Sequence, residues 1–136
     1  MIKLIVAKEY RLVIPGKPES FRSRHAKKFK LRIKEIAQTI RTPIKDSVLV
    51  FIDYFHYDKR NMDVDNITKC VLDALNGIAY HDDKQVINQY SRSHRTNGYQ
   101  AIDDLPVEAI LPLMHYSEYL FIRIRTTSTK LHIHNQ

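Results

Sequence analysis

A small mixed β-sheet with two main helices packed on it, an α/β (α+β) fold, is the architecture this sequence predicts. Three observations lead there. Two stretches repeat apolar residues at steps of three and four, the spacing of one helical face. Four others are β-branched or alternate in polarity, as strands do. At 136 residues, the chain can build one core but not two, so a single domain spans 1–136.

The elements follow in order. KLIVAKEYRLVI (3–14) is aliphatic and β-branched and reads as one or two strands, closed by PGKP (15–18), where proline has no amide hydrogen to donate. From about Arg24 to Thr42, Ala26, Phe29, Ile33, Ile36, Ala37 and Ile40 share a helical face, and Pro43 supplies the stop. SVLVFIDYFHY (47–57) is the strongest strand; its near-continuous apolar run marks it as central, with Tyr54 and Tyr57 as packing residues. A second helix is expected over roughly 66–76, with Ile67, Cys70, Val71, Ala74 and Leu75 buried, Asp65 as N-cap and Gly77 just past the end.

QVINQYSRS (85–93) and YLFIRIRTT (119–127) are further strands, the second setting Leu120, Ile122 and Ile124 against Phe121, Arg123 and Arg125. Between them only VEAIL (107–111) suggests a helical turn or two, and Asp103–Asp104 reads as a solvated turn. Residues 127–136 read as a disordered polar tail, whose HIH lacks a third ligand to make a metal site. The order β, α, β, α, β, β gives a sheet with helices on one face and exposed edges, and a dimer would hide one of them.

Charge narrows the function. The chain holds 22 Lys and Arg against 15 Asp and Glu, a net +7, which suits a polyanionic partner such as nucleic acid. Arg22, Arg24, Lys27, Lys28, Lys30, Arg32 and Lys34 fall in one acid-free segment and are candidates for phosphate contact, Arg22, Arg24, Lys27 and Lys28 foremost. No apolar run is long enough for a membrane span, and the single Cys70 excludes an internal disulfide or a multi-cysteine zinc site. An intracellular protein is the simplest reading.

Against that basic background, Asp63 and Asp65 stand before the second helix and Asp82 and Asp83 after it. Like charges gathered together cost stability unless a cation lies between them. If the chain doubles back after Gly77, three or four carboxylates converge, hard oxygen ligands suited to Mg²⁺ or Mn²⁺. Lys69, one turn after Asp65, could meet the charge on a transferring phosphoryl group, and Asn66 could fix a carboxylate rotamer. Carboxylates, a divalent metal and a lysine in a basic protein suggest phosphodiester hydrolysis.

DVDNITKCVLDALNGIAYHDDKQV (63–86) closely resembles the RusA family of Holliday-junction resolvases, through D-x-D-N-x-x-K-x-x-x-D-A-L-N followed by D-D-x-Q-V. IPGKPESFRSR (14–24) resembles the family's strand, turn and basic segment more loosely, since SFRSRHAKKFK stands where an Arg-Pro-Arg-like run is typical. The resemblance implies a RusA-like homodimer, cytoplasmic and of bacterial or prophage origin. It would use Mg²⁺ to nick two strands of a four-way DNA junction symmetrically. It places Asp63, Asp65 and Asp83 as metal-binding catalytic carboxylates, Asp82 as auxiliary and Lys69 as catalytic lysine. A junction-binding protein without catalysis and a nuclease for other branched DNA are the alternatives.

Overall fold

The computed structural model describes residues 2–6, 8–58, 63–97, 104–127 and 129–133. In chain order the elements are β1 (Ile2–Val6), β2 (Glu9–Pro15), α1 (Ala26–Ala37), β3 (Val48–His56), α2 (Val64–Leu75), β4 (Val86–Arg95), α3 (Val107–Ile110), β5 (Tyr119–Thr126) and β6 (Thr129–Ile133). Four strands form a mixed sheet in the order β2-β5-β3-β4, and β1 pairs with β6 in a separate two-stranded sheet. Within the larger sheet β3 is central, antiparallel to β5 and parallel to β4. Parallel neighbours cannot be joined by a tight turn, so α2 carries the chain back along the sheet between them.

Alternation along β3 and β5 settles which face meets the helices. Val50 and Ile52 of β3 and Ile122 and Ile124 of β5 pack against Phe29 and Ile33 of α1 and Ile67, Val71 and Leu75 of α2, all buried. Cys70 belongs to the same core, and burial pushes its thiol pKa up. Among the described residues, the opposite face is covered only in part. Ala109 of α3 closes over Phe55, Tyr119 and Phe121, and the Tyr119 hydroxyl donates to the Ala109 carbonyl at 2.5 Å. Leu105 and Ile110 pack at its margin.

Several expectations need correction. α1 ends at Ala37, well before Pro43: Ile40 donates to the Ala37 carbonyl in a tighter turn, and the Thr39 hydroxyl donates to the Ile36 carbonyl. Ile40 is still buried, which explains why the apolar period outlasts the helix. α2 begins two residues earlier than 66, because its cap is Asp63. Gly77 follows the end of α2 as expected, with φ of 85°. Tyr54 is buried as a packing residue, whereas Tyr57 is 64% exposed. The N-terminal stretch forms two strands, β1 and β2. Within the expected tail, Thr129–Ile133 pairs in register with Ile2–Val6. β1 and β6 prolong β2 and β5 along the chain, so pairing of the one pair leads into the other.

A charge lies inside the strongest strand. Asp53 of β3 is 1% exposed, and its Oδ1 accepts from Arg92 Nε at 2.8 Å and pairs with His94 Nε2 at 2.7 Å. Arg123 reaches its Oδ2 at 3.8 Å from the other side. Asp53 thereby fixes the basic side chains of β4 and β5 on the open sheet face. Asp53→Ala leaves Arg92 and Arg123 without their buried counter-charge and His94 without its hydrogen-bond partner, so urea unfolding should show a loss of about 3–5 kcal/mol. Asp53→Asn, which can still accept hydrogen bonds, should lose less.

Candidate active site at the start of α2

Asp63 has extended backbone, and its side chain closes the first turn of α2. Its Oδ1 accepts from the amides of Asp65 at 3.0 Å and Asn66 at 3.3 Å, and its Oδ2 from Asn66 Nδ2 at 2.7 Å. The cap expected at Asp65 is therefore one acid earlier, because a capping oxygen reaches those amides only from the residue before the helix. Asp65 lies within the first turn, exposed, near the positive end of the helix dipole. Lys69 is also exposed, one turn along. Asn66 does hold a carboxylate rotamer, that of Asp63.

The basic segment comes to this same turn. The Phe21 amide donates to the Asn66 carbonyl at 3.2 Å, tying the loop that carries Arg22 and Arg24 to the start of α2. Arg22, Arg24, Lys27 and Lys28 are exposed. Lys30 and Arg32 have internal tasks: Lys30 pairs with Asp73 of α2 at 2.8 Å, which raises its pKa, and Arg32 donates to the Lys17 carbonyl at 2.7 Å.

Asp82 and Asp83 stand elsewhere. Asp82 caps a single 3₁₀ turn over Asp83–Gln85, accepting from the Lys84 amide at 3.1 Å. A hydrogen bond between the two carboxyl groups lowers the pKa of Asp82 and raises that of Asp83. Gln85 anchors the turn, accepting from the His81 amide at 2.7 Å and donating to the carbonyls of Ile44 at 2.7 Å and Asp46 at 2.8 Å. Just upstream, the Tyr80 hydroxyl donates to the Leu72 carbonyl near the end of α2. Just downstream, Val86 pairs with Val48 at the start of β3.

The two acidic pairs thus flank opposite ends of α2, and its 12 residues span about 18 Å. Convergence of three or four carboxylates, expected if the chain doubled back, does not occur within one chain: among the described residues no three His, Cys, Asp or Glu side chains could share a metal ion. The parallel pairing of β3 and β4 is the reason, since it starts β4 at the far end. Asp63 and Asp65 alone still offer a donor set that suits Mg²⁺, which takes one or two carboxylates and completes its shell with water and phosphate.

Asp65 also borders a cavity of about 560 Å³ at the edge strand β4, lined further by Phe51, Tyr90, Arg92, Arg123 and Asp104. None of these five is a site residue that sequence reading selects. Asp104, assigned to a solvated turn, is exposed with a left-handed φ of 62°, a conformation aspartate tolerates. Two signals in the sequence point here: an aspartate inside an otherwise apolar strand, and the alternating arginines of β5.

Capping and catalysis separate by mutation. Asp63→Ala should cost about 1 kcal/mol in urea unfolding and Asp63→Asn only about a few tenths, since asparagine caps as well. Asp65→Asn should leave stability within about 0.5 kcal/mol.

No individual curated protein matches the chain significantly. The family defined as Endodeoxyribonuclease RusA matches it over residues 7–100, a span holding the basic segment, both acidic pairs and Lys69. With Asp63 capping α2 beside Asp65, an adjoining basic loop and a match over most of its length, the chain belongs to the RusA endodeoxyribonuclease family.

Proposed function

We propose that the chain is a Mg²⁺-dependent endonuclease that resolves four-way (Holliday) DNA junctions as a homodimer, with Mn²⁺ as a substitute ion. One observation carries this reading: the Phe21–Asn66 hydrogen bond puts an exposed basic loop against the turn bearing Asp63 and Asp65. A duplex phosphate held by Arg22, Arg24, Lys27 and Lys28 then lies beside two carboxylates. Family membership supports the chemistry.

In this reading Asp65 and Asp63 hold the cation, with Asn66 keeping the Asp63 carboxylate in place. The cation, when bound, supplies Lewis-acid stabilisation and activates water. Lys69 meets the negative charge that builds on the phosphoryl oxygens, where a fixed cation lowers the barrier most. A four-way junction has two-fold symmetry, and a two-fold dimer presents two equivalent sites to it. Asp83, with Asp82 as its auxiliary, stands about a helix length from Asp65 within one chain. It therefore joins the site from the second protomer.

Asp65→Asn and Lys69→Ala should each lower Mg²⁺-dependent junction cleavage by at least about 100-fold, the size expected when one electrostatic contact to the transition state is removed. Gel-shift binding of the junction should stay close to that of the unaltered protein. Near-normal cleavage by Asp65→Asn would sink the site assignment, and binding without cleavage by the unaltered protein would favour a junction-binding role. Affinity should also fall steeply with salt. Lys27→Gln combined with Lys28→Gln should reduce the slope of log K against log salt by about 2, roughly one unit for each phosphate no longer neutralised.

A further inference from the structure

We propose that the cavity beside Asp65 receives a single unstacked nucleobase, the one next to the phosphate held at α2, with Tyr90 as its stacking platform. This inference rests on the proposed action on branched DNA. Apart from Asp65, which borders the cavity, its observations are separate from the acids and the basic loop.

Tyr90 lies on the edge strand, 46% exposed, with its ring against Phe51 at 4.8 Å and 14° between planes. Arg123 and Arg125 lie over the Phe51 ring, their guanidinium carbons 4.8 and 4.7 Å from its centroid. Two aromatic rings and two guanidinium groups thus form one stack, of which Tyr90 is the member on the edge strand. An exposed aromatic ring backed in this way binds a nucleobase by stacking, with little demand on which base it is.

Arg123 is only 8% exposed and lines the cavity. Its terminal nitrogens reach the Asp104 carbonyl at 3.3 Å and Asp53 at 3.8 Å. Those contacts hold the guanidinium against the Phe51 ring as part of the cavity wall. The lining is mixed: aromatic surface from Tyr90 and Phe51, donors from Arg123 and acceptors from Asp104 and Asp65. That combination fits a base, which has an apolar face and a polar edge. It does not fit a lipid or an apolar peptide.

Geometry also selects the state of the base. A base inside intact duplex cannot reach a cavity at a sheet edge. One at a junction crossover leaves its stack at lower cost. Because Asp65 borders both the cavity and the phosphate site, the captured base belongs to an adjoining nucleotide. Tyr90 is then a positioning residue, fixing which phosphate faces Asp65.

The test measures junction affinity by fluorescence anisotropy with Ca²⁺ in place of Mg²⁺. One abasic nucleotide is walked through the crossover positions, against unaltered protein, Tyr90→Phe and Tyr90→Ala. At one position per symmetric strand pair, loss of the base should weaken the unaltered protein and Tyr90→Phe by between about 5- and 150-fold, the range for one stacked base. Tyr90→Ala should bind the intact junction that weakly already and lose nothing further at that position. Indifference of the unaltered protein to every abasic position would overturn the proposal. So would a full second loss in Tyr90→Ala, or a failure to bind DNA at all. Coupling of Tyr90 to one nucleotide, without cleavage when Mg²⁺ is restored, would sustain the pocket and overturn the nuclease reading alone.

Discussion

The parallel pairing of β3 with β4 is the constraint on which the rest depends. Parallel strands require the chain to travel back the length of the sheet before pairing again, and α2 makes that journey. Its apolar stripe packs on the sheet, so its direction is fixed along with its position. One pair of acids must then stand where β3 ends and the other where β4 begins. The connection is also short and local, a β-α-β unit whose core contacts form within one stretch of chain.

Around that unit the two sheet faces divide their work. One is sealed by α1 and α2 over the main apolar core. The other carries a buried carboxylate, Asp53, ringed by Arg92, His94 and Arg123, and is closed over only part of its area by α3. A buried acid is a costly way to hold a strand in place. Here it also fixes arginines beside an open cavity at β4, so the cost is coupled to an exposed basic, aromatic surface. The turn of α2 with Asp63 and Asp65 borders the same region, and the basic loop reaches it from the α1 side.

Much of this is legible in the sequence. The helical stripes of α1 and α2 and the apolar run of β3 follow from local periodicity, which tertiary packing reinforces. The acid-rich motif points to the right family and to Asp63, Asp65 and Lys69 as neighbours. Three things cannot be read locally. Which of two aspartates caps α2 depends on where the chain leaves the loop from β3. Whether the acidic pairs meet depends on the direction of β4, and alternation reads the same in either direction. The β1–β6 pairing joins residues from opposite ends of the chain, beyond the reach of any window.

If the acids at opposite ends of α2 serve one phosphate, two chains must supply them, and complementation between inactive protomers tests this directly. Asp65→Asn and Asp83→Asn proteins would be mixed, unfolded and refolded together, then given a four-way junction with Mg²⁺. The account predicts that each variant alone is inactive. A mixed dimer should regain nicking, because one of its sites draws an intact Asp65 from one protomer and an intact Asp83 from the other. A mixture as inactive as its parents would contradict a site shared between chains and return all three carboxylates to one protomer.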